Sequence, residues 1–406
     1  MTLSQSSVET TRELTRRDVF LMAVGCALAV SAIYYHQPLL PQIASTFGVT
    51  PTQGNLIATL TQLGYALGLL LFVPLADGVQ PRKLASYVVV VNAVGLLACA
   101  AAPTFHALAA LSVVVGVTAI TAQIIIPAAS RGAAPANQGR IVGTMLGGLS
   151  SGILIARTLS GLVGAYFGWR SMFALASIVD LVLLVVISKL PPSNSLKPIH
   201  YAELMRSLIT LVRQEPVLRI CAAMRLLTFG AFSAFWATLA ALLAQPPYGF
   251  GPASVGAFGL ISLVGLLASP HIGSLVDRIG ARDVASAGAA MVALAFAIVA
   301  TGARHLPVLI VGMVILDLGN RAGFVANMAR IQALRPEARS RLSTVYMVSY
   351  FAGGSAGAAL GGYGAHAAGW IGLAAVGASL ALAAVAVSAL SYLSNSHQLS
   401  RMRPYD

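Results

Sequence analysis

Five ionisable side chains lie within long apolar stretches of the chain, where a charge is costly unless it faces a cavity or a partner. They are Arg157, Asp180, Arg225, Asp317 and Arg321. Asp317 and Arg321 are four residues apart, which places them on one face of a helix. Two interpretations stay open for this pair: the two charges neutralise each other, or Asp317 exchanges a proton while substrate competes for Arg321. Burial disfavours the ionised carboxylate and the neighbouring arginine favours it.

Arg157 carries a charge that it cannot lose, because a guanidinium stays protonated in proteins. It therefore needs an anionic ligand, a counter-charge or backbone carbonyls. Substrate binding and the bracing of neighbouring helices explain it about equally well. Arg225 lies in the inner third of its apolar stretch, so it either contacts a substrate or reaches the headgroup region of a membrane.

The composition places the whole chain in a membrane. Of its 406 residues, 57% are hydrophobic and 9% are charged, whereas soluble proteins carry about 25% charged residues. The 25 Lys and Arg against 12 Asp and Glu give a net charge of +13. We ascribe this excess to loops that fix membrane orientation and not to nucleic-acid binding, because no basic run stands apart from an apolar stretch. Three scattered cysteines in apolar runs (Cys26, Cys99 and Cys221) indicate neither a disulfide framework nor a metal site.

Twelve apolar stretches predict twelve transmembrane helices. Their approximate limits are 19–43, 54–76, 84–102, 107–130, 140–164, 171–190, 217–244, 254–276, 283–302, 306–330, 342–365 and 370–393. A helix satisfies its own backbone hydrogen bonds within the bilayer, and strands of membrane barrels are only about ten residues long. The first stretch is long enough to span the bilayer, so we interpret it as an uncleaved helix and not as a signal sequence.

The basic residues concentrate in the loops on one side, and the opposite loops hold little beyond Arg170 and Arg304. The positive-inside rule then predicts cytoplasmic termini and an even number of crossings. A long polar segment near the middle is predicted to contain a short amphipathic helix over 201–213. The resulting organisation is a cytoplasmic N-terminal segment (1–18), a six-helix bundle (19–190), a cytoplasmic linker (191–216), a second six-helix bundle (217–393) and a cytoplasmic tail (394–406).

The two halves are internally repeated. Residues of the same type recur 200 positions apart in Asp77 and Asp277, Arg82 and Arg282, and Gly161 and Gly361, and 201 positions apart in Gly168-Trp169 and Gly369-Trp370. Parallel halves of this kind are a transporter design, with the binding site near the bilayer midplane between them.

The loop between the eighth and ninth stretches resembles a family signature. It reads Gly273-Ser274-Leu275-Val276-Asp277-Arg278-Ile279-Gly280-Ala281-Arg282 and is similar to the G-x-L-x-D-R-x-G-x-R loop of the major facilitator superfamily. The first-half loop, 74–83, keeps the acid and a basic pair but lacks both glycines and the arginine after the acid. The resemblance covers all twelve stretches. It implies an all-α integral membrane protein with the major facilitator fold: twelve transmembrane helices in two pseudo-symmetric six-helix bundles.

The same resemblance implies a cytoplasmic gate. In such loops the carboxylate pairs with basic residues and with the ends of neighbouring helices when that face is closed. The gate residues implied in this chain are Asp77, Arg82, Arg131, Arg140, Asp277, Arg278 and Arg282. For the arginines, a role in topology alone is the alternative.

The fifth stretch carries small residues in a ladder. Gly143, Gly152, Ala156-Arg157 and Ser160-Gly161 resemble the antiporter signature G-x8-G-x3-G-P-x2-G-G, with Ala-Arg in place of the Gly-Pro. This signature marks drug–proton exporters within the superfamily. Close helix packing through small residues also explains the ladder.

First helices line the cavity in this superfamily, which implies that Tyr34, His36 and Gln37 contact substrate or carry protons. The 200-residue offset pairs His36 with Trp236, which suits a flat or ring-bearing substrate; an interfacial aromatic belt is the alternative. Gln62 is a further polar candidate. Sixth helices in the family usually face lipid, so we expect Asp180 to pair locally or to reach toward the membrane surface.

These features predict a secondary transporter of the bacterial inner membrane, multi-pass and monomeric, that works by alternating access without a cofactor or a metal. Its substrate is a small organic solute, and we expect proton-coupled efflux by antiport, with Asp317 as the proton carrier. The alternative is proton-coupled uptake, by symport, of a small organic anion. Three arginines against two acids at membrane depth favour an anionic or zwitterionic substrate. An integral-membrane enzyme is the other class considered, but no nucleotide-binding, nucleophile or metal-ligand motif supports it.

Overall fold

The computed structural model describes residues 15–77, 79–131, 135–190, 201–302, 305–335 and 338–401. Residues 1–14, 191–200 and 402–406, which belong to the predicted N-terminal segment, linker and tail, lie outside the described part. So do the side chains of Asp77 and Arg131. The regular elements of the described part are all helices.

Thirteen helices are labelled here. The first half contains α1 (Arg16–Ser31), α2 (Leu40–Phe47), α3 (Leu56–Phe72), α4 (Pro81–Ala101), α5 (Phe105–Thr118), α6 (Thr121–Arg131) and α7 (Pro135–Ile187). The linker helix is α8 (Tyr201–Gln214), and the second half contains α9 (Pro216–Leu243), α10 (Ser262–Ile279), α11 (Ala281–Gly302), α12 (Leu306–Gln332) and α13 (Arg339–Arg401). Short helical turns at Pro51–Gly54, Pro252–Ala257 and Phe258–Ile261 lead into α3 and α10.

Nine helical stretches in the described residues are long and apolar enough to cross a membrane. Two of them, Arg140–Ile187 and Arg339–Tyr392, are 48 and 54 residues long, whereas one crossing needs about 20. Each turns at a glycine in the left-handed region, Gly168 with φ 80° and Gly369 with φ 56°, which residues with a Cβ rarely adopt. Both are therefore hairpins of two crossings. With each hairpin counted as two, the nine stretches make eleven crossings. The crossing formed by α1 and α2 is the twelfth.

The first crossing is not the continuous helix predicted over 19–43. Helix α1 ends at Ser31, a 3-10 turn occupies Gln37–Leu39, and α2 begins at Leu40. Pro38 and Pro41 lack the N–H that a continuing helix would use, and each instead occupies the first turn of the element that follows, where no donor is needed. After Ser31 the regular helix gives way to hydrogen-bonded turns, in which the N–H of Tyr34 donates to the carbonyl of Ser31 (2.9 Å).

Small residues bring helices into backbone contact within each half. A Cβ on Gly152 of α7 would lie 2.2 Å from the carbonyl oxygen of Ala27 on α1, and one on Gly116 of α5 would lie 2.1 Å from that of Thr61 on α3. Packing of this kind drives helix association in lipid, where the hydrophobic effect between helices is absent. Each half is therefore a tightly packed body.

Six crossings return the chain to the side on which it began, so α8 lies at the same face as the start of α1. The hydroxyl of Tyr201 on α8 donates to the carbonyl of Leu71 at the end of α3 (3.1 Å). We call this side the linker face and the opposite side the far face.

The two halves touch each other near the far face. Asn55 donates to the carbonyl of Ala358 (2.9 Å), and Thr158 donates to that of Gly256 (3.2 Å). Beside the second contact, Gly161 lies against the backbone of the turn at Pro252–Ala257. These contacts close the molecule at the far face.

Candidate translocation site

A cavity of about 370 Å³ lies between the two halves. Arg157 and Phe232 line its deepest part, and Gly143 and Pro270 line it near the linker face. Gly143 and Arg157 are fourteen residues apart on α7, a rise of about 21 Å along a helix. Since the far face is closed, the cavity is accessible from the linker face.

Arg157 is almost completely enclosed, with 1% of its surface exposed. Its Nε donates to Gln37 (2.8 Å), and one terminal nitrogen donates to the Ser262 hydroxyl of the other half (3.3 Å). The guanidinium carbon lies 3.6 Å from the ring centroid of Trp236, which is cation–π geometry. Its other terminal nitrogen, Nη2, is buried without a hydrogen-bond partner. Arg157 therefore both joins the halves and keeps one donor free.

Ser262 connects Arg157 with Asp317. Its hydroxyl accepts from Arg157 and also interacts with the carboxylate of Asp317. Asp317 is buried on α12 and presses against Gly265 of α10, with its Oδ2 unpartnered. A hydroxyl can accept one hydrogen bond while donating another. A change of charge on Asp317 therefore acts directly on the contact between the two halves.

Arg321 does not form the ion pair with Asp317 that the four-residue spacing suggested. It lines the same cavity as Asp317, but its terminal nitrogen donates to Ser150 of the first half (3.0 Å). Among the described side chains the two groups are not within ion-pair distance of each other; the described ion pair is Arg335–Glu215 at 2.6 Å. The carboxylate and the guanidinium still influence each other across the cavity.

Arg225 lies at a different part of the cavity wall, also with 1% exposed surface. One terminal nitrogen donates to the backbone and side-chain oxygens of Asn320 (3.0 and 2.9 Å), and Nε is buried without a partner. Its guanidinium carbon is 4.1 Å from the ring centroid of Tyr350. Arg225 thus faces the cavity and does not extend to the membrane surface.

The other sequence candidates are divided between the cavity wall and its surroundings. Tyr34 lines the cavity. His36, Gln37, Gln62 and Trp236 are buried but are not part of the lining. Gln37 and Trp236 act through Arg157, which they contact.

Gln62 lies in the contact between the halves, where it accepts a hydrogen bond from Ser233 (3.0 Å). Its amide is seated beside Gly354 of α13. Gln62 therefore belongs to the contacts between the halves that close the cavity toward the far face. His36 is buried near Arg157 with Nε2 unpartnered.

The gate residues whose side chains the structure describes lie at the linker face and are not paired with one another. Arg82, Arg140, Asp277 and Arg278 are exposed, and no described ion pair joins them. Arg282 donates to Ser391 (3.0 Å) and stacks on Tyr392. Such a latch is expected when this face is closed, and here it is open, so the gate role stays a prediction.

Asp180 does not reach the membrane surface. It is buried within the first half, near Tyr35 of the broken segment after α1. The interpretation that it extends toward the headgroups is therefore wrong, because the rotation of the helix directs the side chain inward.

Several lining residues were not identified from the sequence, among them Ser150, Ser262, Asn320 and Tyr350. Serine and asparagine are common in packed membrane helices, so their type alone gives no signal. Asn320 lies three residues from Asp317 and hence on the same helical face, which was a usable signal. Among the described residues, no group of three or more His, Cys, Asp or Glu side chains could hold a metal ion.

Comparisons with known proteins all match this chain to membrane transporters. The sequence model described as Major Facilitator Superfamily matches residues 20–268 and 221–404. A transporter of Escherichia coli K12, YgaY, is 34% identical over 371 residues, covering 91% of this chain and 94% of that protein. A transporter of Streptomyces coelicolor is 34% identical over 360 residues, covering 88% and 83%. The crystal structure of the human organic anion transporter MFSD10 superposes with a TM-score of 0.72 at 17% identity, covering 92% of this chain and 99% of that one.

Proposed function

Because the chain belongs to the major facilitator superfamily, it is a multi-pass secondary transporter and not an enzyme, and we propose that it moves a small organic anion together with a proton. We further propose that it resides in a bacterial inner membrane as a monomer. The linker face is cytoplasmic in this proposal, since the basic loops lie there. The cavity is then open to the cytoplasm.

The observation that carries the proposal is the charge of the cavity wall. Among the described lining residues, Arg157, Arg225 and Arg321 face one carboxylate, Asp317. Guanidinium groups remain charged in proteins, so the wall stays positive whatever the state of Asp317. A buried positive wall favours an anion and repels a cation.

The position of Asp317 indicates how a proton would be coupled. When ionised, the carboxylate competes with an anionic substrate for the same arginines; when protonated, it leaves them free. An anion about 6 Å from an ionised carboxylate is disfavoured by about 3 kcal/mol at an effective dielectric constant of about 20, roughly a 100-fold effect. Proton and anion therefore favour each other's binding, and this coupling is reciprocal. Ligands that bind together are carried together, which is symport.

Mutually favourable binding of proton and anion supports symport, the alternative named from the sequence, over efflux by antiport. The ladder of small residues on α7 was the main support for antiport. Gly152 packs on Ala27 and Gly161 on the turn near Pro252, so helix packing accounts for both. Antiport remains the second candidate, and the same experiment distinguishes it.

The test uses proteoliposomes that contain the full chain and an enclosed pH dye. Small organic anions, such as benzoate and succinate, are added outside, with a sugar and a cationic dye as comparison. Symport acidifies the lumen when the transported anion is added, while antiport makes it alkaline. A substrate flux without any pH change would refute proton coupling. No flux of any anion would refute the substrate class.

Replacing Asp317 with Asn tests the role of the carboxylate. Asparagine removes the titrating group but keeps its size, so we expect the pH change to disappear while exchange of labelled against unlabelled substrate continues. The matched control is Asp283→Asn, at an exposed carboxylate of α11, which should keep both activities. Equal loss of both activities in Asp317→Asn would instead indicate a structural role.

A further inference from the structure

The charges of the cavity wall do not balance, because the described lining residues include three arginines and one carboxylate. Arg321 and Arg157 are the charges that act on Asp317 most strongly, and Arg225 is held by Asn320 and aromatic rings. Arg157 and Arg225 each keep one buried nitrogen without a partner. With one positive charge offset by Asp317, two positive charges of the wall remain unbalanced.

A row of aromatic rings runs from Arg157 to Arg225. The guanidinium of Arg157 lies 5.9 Å from the ring of Phe232. Phe232 stacks on Phe229 at 5.6 Å and 20°, and Phe229 stacks on Tyr350 at 3.7 Å and 16°. The guanidinium of Arg225 lies 4.1 Å from Tyr350.

The rings of this row are nearly parallel, and Phe232 and Tyr350 line the cavity itself. Tyr34 lines it as well, and its ring centroid lies 5.3 Å from the guanidinium carbon of Arg157. The cavity therefore offers an apolar aromatic wall with one cation at each end. Aromatic rings pair with flat groups through offset or edge contacts.

From this arrangement we propose that the substrate is a dianion with a flat apolar body and an acidic group at each end, of which an aromatic dicarboxylate is the simplest form. One carboxylate binds Arg157, the other binds Arg225, and the body lies along Phe232 and Tyr350. The inference rests on the proposed function, because it specifies the anion that the transporter carries.

The experiment compares acids that share one ring system and differ in their second acidic group. Benzoate, terephthalate and biphenyl-4,4′-dicarboxylate are titrated into the purified full-length protein by calorimetry, with adipate as a dianion that lacks a ring. We expect at least one aromatic diacid to bind 10- to 100-fold more tightly than benzoate, the gain of one charge-assisted hydrogen bond. We also expect it to bind more tightly than adipate.

Two variants then test the two ends separately. Arg157→Gln and Arg225→Gln should each lower the affinity for the diacid to near that of benzoate, while benzoate itself loses less in at least one of them. The matched control is Arg219→Gln, an exposed position on the same helix as Arg225, which should leave both affinities unchanged. The wild-type comparison needs no variant, so it decides the inference even if a variant fails to fold.

Equal affinity of the wild-type protein for benzoate and both aromatic diacids would overturn the inference and leave the proposed function intact. Loss of the diacid preference in only one of the two variants would also overturn it, because only one end would then bind. Binding of no acid at all would overturn both the inference and the proposed function.

Discussion

The contact at Gly161 allows the equilibrium between the two faces to be changed by a single methyl group. An alanine here would place its Cβ 2.5 Å from the carbonyl oxygen of Pro252 and 2.8 Å from the Cα of Gly256. Both are backbone atoms of the other half, so a change of rotamer cannot relieve the overlap. The halves must separate by about 1 Å at this point, since ordinary contacts lie at about 3.5–4.0 Å.

The magnitude follows from the cost of overpacking, which is typically about 1–3 kcal/mol for extra methylenes in a packed interior. Only the state that is closed at the far face contains this contact. Gly161→Ala should therefore shift the equilibrium toward the state open at the far face by about 5- to 150-fold.

The assay measures the access of a membrane-impermeant thiol reagent to a cysteine placed near the far face. Thr238→Cys suits this purpose, because Thr238 on α9 is 2% exposed and lines a small cavity near that face. The three native cysteines are buried. Adding Gly161→Ala should accelerate labelling of the reporter by about the factor of the equilibrium shift.

The control is Gly143→Ala on the same helix, where a Cβ would have no neighbour within 4 Å. It should label at the rate of the reporter alone. If Gly161→Ala also labels at that rate while remaining folded, the far-face contact does not hold the closed state, and the reasoning fails.

Two further predictions concern the centre of the site and the packing of the first half. Ser262→Ala removes the hydroxyl shared by Arg157 and Asp317, so we expect pH-coupled uptake to fall about 10- to 100-fold while substrate exchange falls less. Equal loss in the two proteoliposome assays would contradict this. Gly152→Val forces a branched side chain against the Ala27 carbonyl, and we expect little folded protein by size-exclusion chromatography. A monodisperse Gly152→Val protein with native thermal stability would show that α1 and α7 can separate without cost.

The number of crossings could be predicted from the sequence because it depends on hydropathy and length alone. The approximate positions of the hairpin turns also followed from the sequence, since the predicted stretches leave gaps at 165–170 and 366–369. In the structure Gly168 and Gly369 lie in these gaps and adopt positive φ. The break after Ser31 was not predicted, because residues 32–36 continue the apolar stretch. The first residues that disfavour a helix are the prolines further along the chain. Hydropathy does not report where a helix loses its hydrogen bonds.

The site was predicted in part. Arg157, Arg225, Asp317, Arg321 and Tyr34 line the cavity, and a charge at membrane depth is a signal that a single sequence can carry.

The contacts among these residues could not be predicted. Ser262 of α10 meets Arg157 of α7 only through the rotation and approach of two distant helices. Likewise, the four-residue spacing correctly placed Arg321 beside Asp317, but Ser150 from the other half determines where its guanidinium binds.

The backbone contacts within each half bear on how movement is transmitted. Where Gly152 meets Ala27, and Gly116 meets Thr61, no flexible side chain lies between the two helices. A displacement of one helix is therefore passed to its neighbour almost undiminished, because there is no soft layer to absorb it. The half therefore moves as a rigid body. A displacement of a fraction of an ångström beside Ser262 becomes a larger displacement at the helix ends about 20 Å away.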